Sequence, residues 1–301
     1  MQFHKRDALA RSIHAAVDLD AIRSPEGLVD PRSLSPAALE SHGEPAAAAA
    51  DSGFRPRFVD VCSESAAFRS ITLRLQSQQN HDWLDVLKAH KTAGLEEYKG
   101  VRFQLVRAQR VDYGPTLKEY DNHVASMAAG QLPVASKVVF HGCRRLNTGS
   151  VKERASVKHS LATKGLVPWS SSSEEMQTDV GWFGDSTRGV YVSKHLDYCL
   201  KYAHPDRQAV QVGEQLEVLM LKLVPGRIKQ LETSSQYASL PPAPGFDCHE
   251  SSSYRQELYV YDKTVVDPAE PSRGPRQLLL THILTIKAVE EQNEVVGADD
   301  V

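Results

Sequence analysis

The stretch "FHGCRRLN", residues 140–147, places a histidine and a glycine directly after the apolar run Val138-Val139-Phe140. A strand that ends on an imidazole and continues through a residue without a Cβ offers a small polar ligand both a titratable ring and bare backbone. Arg144 and Arg145 follow at once and are suited to phosphate. Cys248, His249 and Glu250 form a second group of chemistry-bearing types. Their spacing fits no common zinc pattern, and a buried thiol beside a polar loop histidine is the expectation there. No G-x-G-x-x-G follows a strand-like run and no G-x-x-x-x-G-K-[ST] occurs, which argues against Rossmann and P-loop nucleotide sites.

Bulk properties bound what such residues can serve. The chain has 301 residues, 41% hydrophobic and 24% charged, enough to bury a large core. A formal charge of -3 gives no net pull toward nucleic acid or anionic lipid. Cys62, Cys143, Cys199 and Cys248 show no CxxC spacing, so neither a disulfide framework nor a zinc ribbon is expected. The expectation is a reduced intracellular compartment, nucleus or cytoplasm. The opening "MQFHKRDALARSIHAAVDL" lacks the apolar core of a secretory signal, and Asp7 and Asp18 count against a mitochondrial presequence. No apolar run is long enough to span a bilayer, so no membrane partner is expected.

The elements that must position these residues begin late. Residues 1–53 are rich in Ala, Pro, Ser and Gly and lack sustained periodicity from about Ser24, which predicts a disordered or loosely helical leader. A domain is expected over 54–290 and an acidic tail over 291–301. "RFVDV" (57–61), "RFQLVRAQRV" (102–111), "SKVVF" (136–140), "GVYVS" (189–193), "LEVLMLKLV" (216–224), "ELYVYD" (257–262) and "QLLLTHILTIKAV" (277–289) read as strands. Helices are predicted over 63–77, with Phe68, Ile71 and Leu75 on one side, and over 116–129, 153–165 and 195–203. Gly165 is expected to close its helix in the left-handed conformation. "SSSSEEM" (170–176) reads as an exposed loop, with a mobile flap as the alternative. Strands without regular βαβ alternation favour α+β with a largely antiparallel sheet.

In this order, "FHGCRRLN", "KGL" (164–166), "GWFGDSTRGVYVSKHLDYCLKYA" (181–203) and "QELYVYD" (256–262) resemble the catalytic domain of the poly(ADP-ribose) polymerase (PARP) family of ADP-ribosyltransferases. The likeness runs from about Arg57 to Val289. It implies an α+β fold with a mostly antiparallel split β-sheet and flanking helices, NAD+ as co-substrate and no metal. It also implies a His-Tyr-Glu triad, matched here by His141, Tyr191 and Glu257. The resemblance further implies transfer of a single ADP-ribose to a protein side chain, or to a nucleic-acid end, with release of nicotinamide.

The chemistry of those roles is arguable from the side chains. Loss of nicotinamide leaves an oxocarbenium-like sugar, and Glu257 would hold a ribose hydroxyl and stabilise the developing charge. His141 would donate to the adenosine ribose, and the Gly142 backbone would pair with the carboxamide. Tyr191 and Tyr202 would sandwich the nicotinamide ring. Arg144 and Asn147 would reach the adenosine half. Cys199 and Cys143 stand where the family favours hydroxyl residues, and a thiol is the poorer donor.

A second resemblance points elsewhere. "GVYVSKHLDYCLKYA" and "PGFDCH" (244–249) are similar to the pseudo-PARP domain of the TASOR family. That likeness implies the same fold without catalysis, in protein assemblies for gene silencing. Because His141, Tyr191 and Glu257 are all retained, the expectation is an active NAD-dependent ADP-ribosyltransferase, with the inactive interaction module as the alternative.

Overall fold

The computed structural model describes residues 55–78, 101–168, 184–185, 187–232, 237–251, 257–262 and 273–290. The leader through residue 53, the 170–176 loop and the acidic tail lie outside the described residues.

The described strands are β1 (Arg57–Asp60), β2 (Val101–Asp112), β3 (Lys137–His141), β4 (Gly189–Ser193), β5 (Gln215–Leu223), β6 (Ile228–Leu231), β7 (Cys248–Ser251), β8 (Glu257–Tyr261) and β9 (Leu278–Glu290). They form one sheet in the order β1-β2-β9-β5-β3-β4-β8-β7-β6. Every neighbouring pair is antiparallel except β6 and β7. The helices are α1 (Ala66–Gln78), α2 (Gly114–Ala129), α3 (Val151–Lys164) and α4 (Leu196–Ala203), with a 3-10 turn at Arg144–Leu146. An α+β class with a mostly antiparallel sheet is therefore what the chain adopts.

Local chemistry sets the helix ends. Ser65 caps α1, its hydroxyl accepting from the Phe68 amide at 3.1 Å. Pro115 sits in the first turn of α2, where its missing N–H costs nothing. Ser150 and Glu153 form a capping box at the start of α3, and the Ser150 hydrogen bonds hold the Glu153 carboxyl below its ordinary value. Gly165 ends α3 at φ 73° and ψ -162°. That is a positive φ, as expected, but with an extended ψ that only glycine tolerates, rather than the left-handed helical conformation.

Period-2 burial divides the core between the two faces of the sheet. On one face Phe103, Leu105, Val138, Phe140, Val218, Met220, Leu284 and Ile286 pack with Ile71 and Leu75 of α1 and Leu196, Leu200 and Ala203 of α4. On the other, Val139, Leu219, Leu221, Val190, Val192, Leu258, Val260 and Ile283 pack with Leu161 of α3, Leu146 and Leu166. The central strands are thus buried on both sides, which explains why "LEVLMLKLV" is continuous rather than alternating.

β6 and β7 were not foreseen. β7 is buried at every position, so Cys248 and His249 lie in a strand and not beside a loop. The thiol of Cys248 is buried as expected, and burial pushes its pKa well up.

Candidate functional site

The ends of β3, β4 and β8 meet where the sheet is most weakly joined. β3 and β4 share one residue pair, Phe140 with Ser193, and Ser193 is opposite Glu257. His141 belongs to the next row, opposite Leu219. Regular pleating therefore assigns positions 141 and 257 to alternate faces. Because β3 leaves the β4 ladder after that single pair, its last side chain takes over a backbone role: His141 Nδ1 is 2.7 Å from the Tyr191 carbonyl oxygen. A carbonyl only accepts, so Nδ1 carries the hydrogen. The half-buried imidazole is shifted below its ordinary pKa by desolvation, with the Tyr191 bond opposing. A neutral ring in this tautomer presents Nε2 as an acceptor, where a donor to a ribose hydroxyl was expected. His141 and Tyr191 are brought together; for Glu257 the backbone register alone is described.

Gly142 is spoken for by a helix. A Cβ built there would lie 2.1 Å from the Cys199 carbonyl oxygen, 2.7 Å from the Ala203 nitrogen and 2.9 Å from the Tyr202 carbonyl carbon. The absent side chain lets the α4 backbone rest on the chain just past β3. Cys199 is buried in the core on the α1 and α4 face, and Cys143 packs, half-buried, against the core on the α3 face. Arg144 begins the 3-10 turn and is half-buried.

Asn147 acts on the fold. Its Nδ2 donates to the carbonyls of Ala203 and Glu217, each at 3.0 Å, and its Oδ1 accepts from the Glu217 amide at 2.7 Å. A primary amide that both donates to and accepts from one residue of β5 continues the β3–β5 ladder past the end of β3. Both amide hydrogens are used, so the side chain expected at the adenosine half is committed to joining β5, α4 and the 3-10 turn.

The two tyrosines expected to sandwich a ring are engaged separately. Tyr202 is 42% exposed on α4 and pairs with Tyr198, ring centroids 5.5 Å apart and hydroxyls 3.2 Å apart. Tyr191 packs on Tyr259 at 5.3 Å. That pair is covered by the chain itself. Tyr191 donates to the Gly184 carbonyl at 3.0 Å, and Tyr259 donates to the Asp185 carbonyl at 2.6 Å. A Cβ on Gly184 would fall 2.4 Å from the Tyr259 ring, so this glycine lies flat on it. Burial and the neighbouring Tyr191 hydroxyl push the Tyr259 phenol pKa far up, keeping it a donor.

Sequence reasoning missed what surrounds that pair. His249 is fully buried, 4.8 Å from the Tyr237 ring and 5.5 Å from both Tyr259 and Tyr261, with Nε2 accepting from the Ala243 amide. Tyr261 donates to the Phe246 carbonyl at 2.7 Å. Asp247 accepts from the Arg227 amide at 3.0 Å, opposite the positive-φ Gly226. "PGFDCH" thus helps to hold β6, β7 and β8 around these rings, and the signal was the Asp-Cys-His run within it. On the row of Leu258, Glu250 is 4% exposed, ion-paired with Lys194 and bonded by Gln230 at 3.0 Å. Among the described residues no group of three His, Cys, Asp or Glu is placed to hold a metal. None of the described helices is long and apolar enough to cross a membrane.

Comparison with known proteins bears on this arrangement. Residues 156–265, from α3 past β8, match a family model described as "Protein of unknown function (DUF3715)". No curated protein sequence matches. Among solved structures, the crystal structure of the TASOR pseudo-PARP domain is similar to this chain over 77% of its length and over 99% of that domain, with a TM-score of 0.53 and 18% identity. At that identity the likeness concerns architecture alone: this chain has a fold similar to that of the TASOR pseudo-PARP domain.

Proposed function

We propose that the domain is a non-catalytic, pseudo-PARP-like module that binds another protein, in the gene-silencing setting that the TASOR resemblance implies. The observation that carries this reading is that the ground a nicotinamide would need is held by the chain itself. Gly184 and Asp185 lie on the Tyr191–Tyr259 pair, and the α4 backbone lies on Gly142. A ring stacked on that tyrosine pair would have to displace the segment at Gly184 and Asp185 and two hydrogen bonds from buried or half-buried phenols, each of which costs free energy before any is gained. The committed amide of Asn147 and the separately engaged Tyr202 support the same reading. What remains of the His-Tyr pairing serves the scaffold, closing the gap between β3 and β4.

The test is an NAD+ titration. Millimolar NAD+ is expected to leave the melting temperature unchanged and to give no heat by calorimetry, and labelled NAD+ to yield neither labelled protein nor free nicotinamide. The enzymatic reading, transfer of ADP-ribose from NAD+ with Glu257 on the reacting ribose, makes the opposite forecast. Nicotinamide release that disappears in Glu257→Gln at unchanged stability would establish it and overturn the module.

A further inference from the structure

The α3 side of the sheet changes character partway along its strands. Leu221, Leu219 and Ile283 are apolar core there. Beyond them the pairings align two polar rows across β2, β9 and β5: Arg107, Thr285 and Glu217, then Gln104, Lys287 and Gln215. The bulge in β2 at Val106 brings Arg107 into the first row. Leu105 and Ala108 both lie in the core on the α1 and α4 face, so Arg107 and Gln109 belong to the opposite one. Arg102 extends the same side by one more step. Arg102, Gln104, Arg107 and Gln215 are exposed, and Thr285, Lys287 and Glu217 are half-buried.

Charge on this face is one-sided. Asp60 is held by Arg107 through two bonds of 2.7 and 2.8 Å, and Glu217 by Lys158 Nζ at 2.5 Å. Lys158 reaches over from α3 and also donates to Gln109, so the flank of that helix borders the rows. Arg154 lies one turn earlier on the same flank. Neither Lys287 nor Arg154 has an acidic partner among the described residues, whereas both carboxylates of the face are already engaged. Glu290, opposite Val101, belongs by alternation to the α1 and α4 face.

What the rows lack selects the partner. They consist of Arg, Thr, Glu, Gln and Lys, without the apolar anchor that a protein partner needs at the centre of an interface. Nor do they offer a ring for an unpaired base to stack on. Cations separated by neutral donors are what a phosphate backbone requires. The chain's formal charge of -3 makes the attraction local to this face.

We propose that this open face of β2, β9 and β5, with the bordering flank of α3, binds the phosphate backbone of duplex nucleic acid without reading its sequence. Lys287 and Arg154 supply the charge, and Gln104 and Gln215 donate to phosphate oxygens. The assignment does not depend on how the β3–β4–β8 region functions.

The experiment is a titration of the full chain into a short fluorescein-labelled DNA duplex of mixed sequence, read by anisotropy over a series of potassium chloride concentrations. The logarithm of the binding constant is expected to fall against the logarithm of salt with a slope of about -2 or steeper, and a duplex of different sequence should give the same line. Lys287→Gln with Arg154→Gln should flatten the slope by about 1 for each residue changed. Lys118→Gln with Lys152→Gln removes the same formal charge from exposed positions on α2 and on the other side of α3, and should leave the slope unchanged. Melting temperatures of both double variants should match the wild type. Absence of binding at low salt, a slope near zero, or equal effects of the two double variants would each overturn the assignment. Displacement of the labelled duplex by a poly-glutamate peptide as readily as by unlabelled duplex would overturn it in favour of an acidic protein partner.

Discussion

Gly142→Ala tests whether α4 packs on this position only because a side chain is absent. The new methyl would meet three backbone atoms of α4 at 2.1, 2.7 and 2.9 Å, and none of them belongs to a side chain that could rotate away. Relief requires α4 to move off the sheet, and Leu196, Leu200 and Ala203, all fully buried, move with it. Overpacking usually costs about 1–3 kcal/mol, and contacts this short against rigid backbone place the change at the top of that range. A loss of about 3 kcal/mol should lower the melting temperature of a domain this size by roughly 6–12 °C. The assay is urea denaturation followed by circular dichroism, with Gly114→Ala as the control. No atom lies within 4 Å of a Cβ at Gly114, in the first turn of α2. The control should change stability by no more than ~1 kcal/mol, and in the favourable direction. A Gly142→Ala protein with the wild-type midpoint and slope would refute the packing argument.

Three further outcomes follow from particular contacts. Asn147→Ala strips partners from the Glu217 amide and carbonyl and from the Ala203 carbonyl, and should cost about 3 kcal/mol by urea denaturation. Lys194→Met leaves the buried Glu250 carboxylate without its cation and should cost about 3–5 kcal/mol; Lys194→Met with Glu250→Met should recover most of that. Desolvation, with Arg110 adding to it, pushes the His282 pKa down to about 4. The unfolded chain takes up a proton near pH 6.5 that the native ring refuses, so the native state keeps this contribution above 6.5 and loses it as pH falls toward 4. The loss is roughly 3 kcal/mol, and His282→Leu should flatten the stability curve across that window.

Much of the architecture was legible in the residues. Alternation in "RFQLVRAQRV" and β-branched content in "SKVVF" predicted strands that form, and Phe68, Ile71 and Leu75 lie on the face of α1 that meets the sheet. β7 escaped because "CHES" has neither alternation nor β-branched residues; it is a strand only because β6 and β8 flank it and aromatic rings cover His249. The site was legible as a set of residue types and illegible as geometry. "FHG" announced a glycine where something approaches the backbone closely, but not that the visitor is the carbonyl of Cys199.

The physical reason is range. Helix caps, strand period and composition act over a few residues, and the sequence alone determines them: Ser150 with Glu153, Pro115, and the apolar runs of β5 and β9. Which polar group meets which depends on strand order and on the register of single pairs such as Phe140 with Ser193, set by the whole core and encoded at no one place. Tertiary structure alone decided that Asn147 would extend a ladder, that Gly184 would lie on Tyr259, and that His282 would be buried with both ring nitrogens unsatisfied.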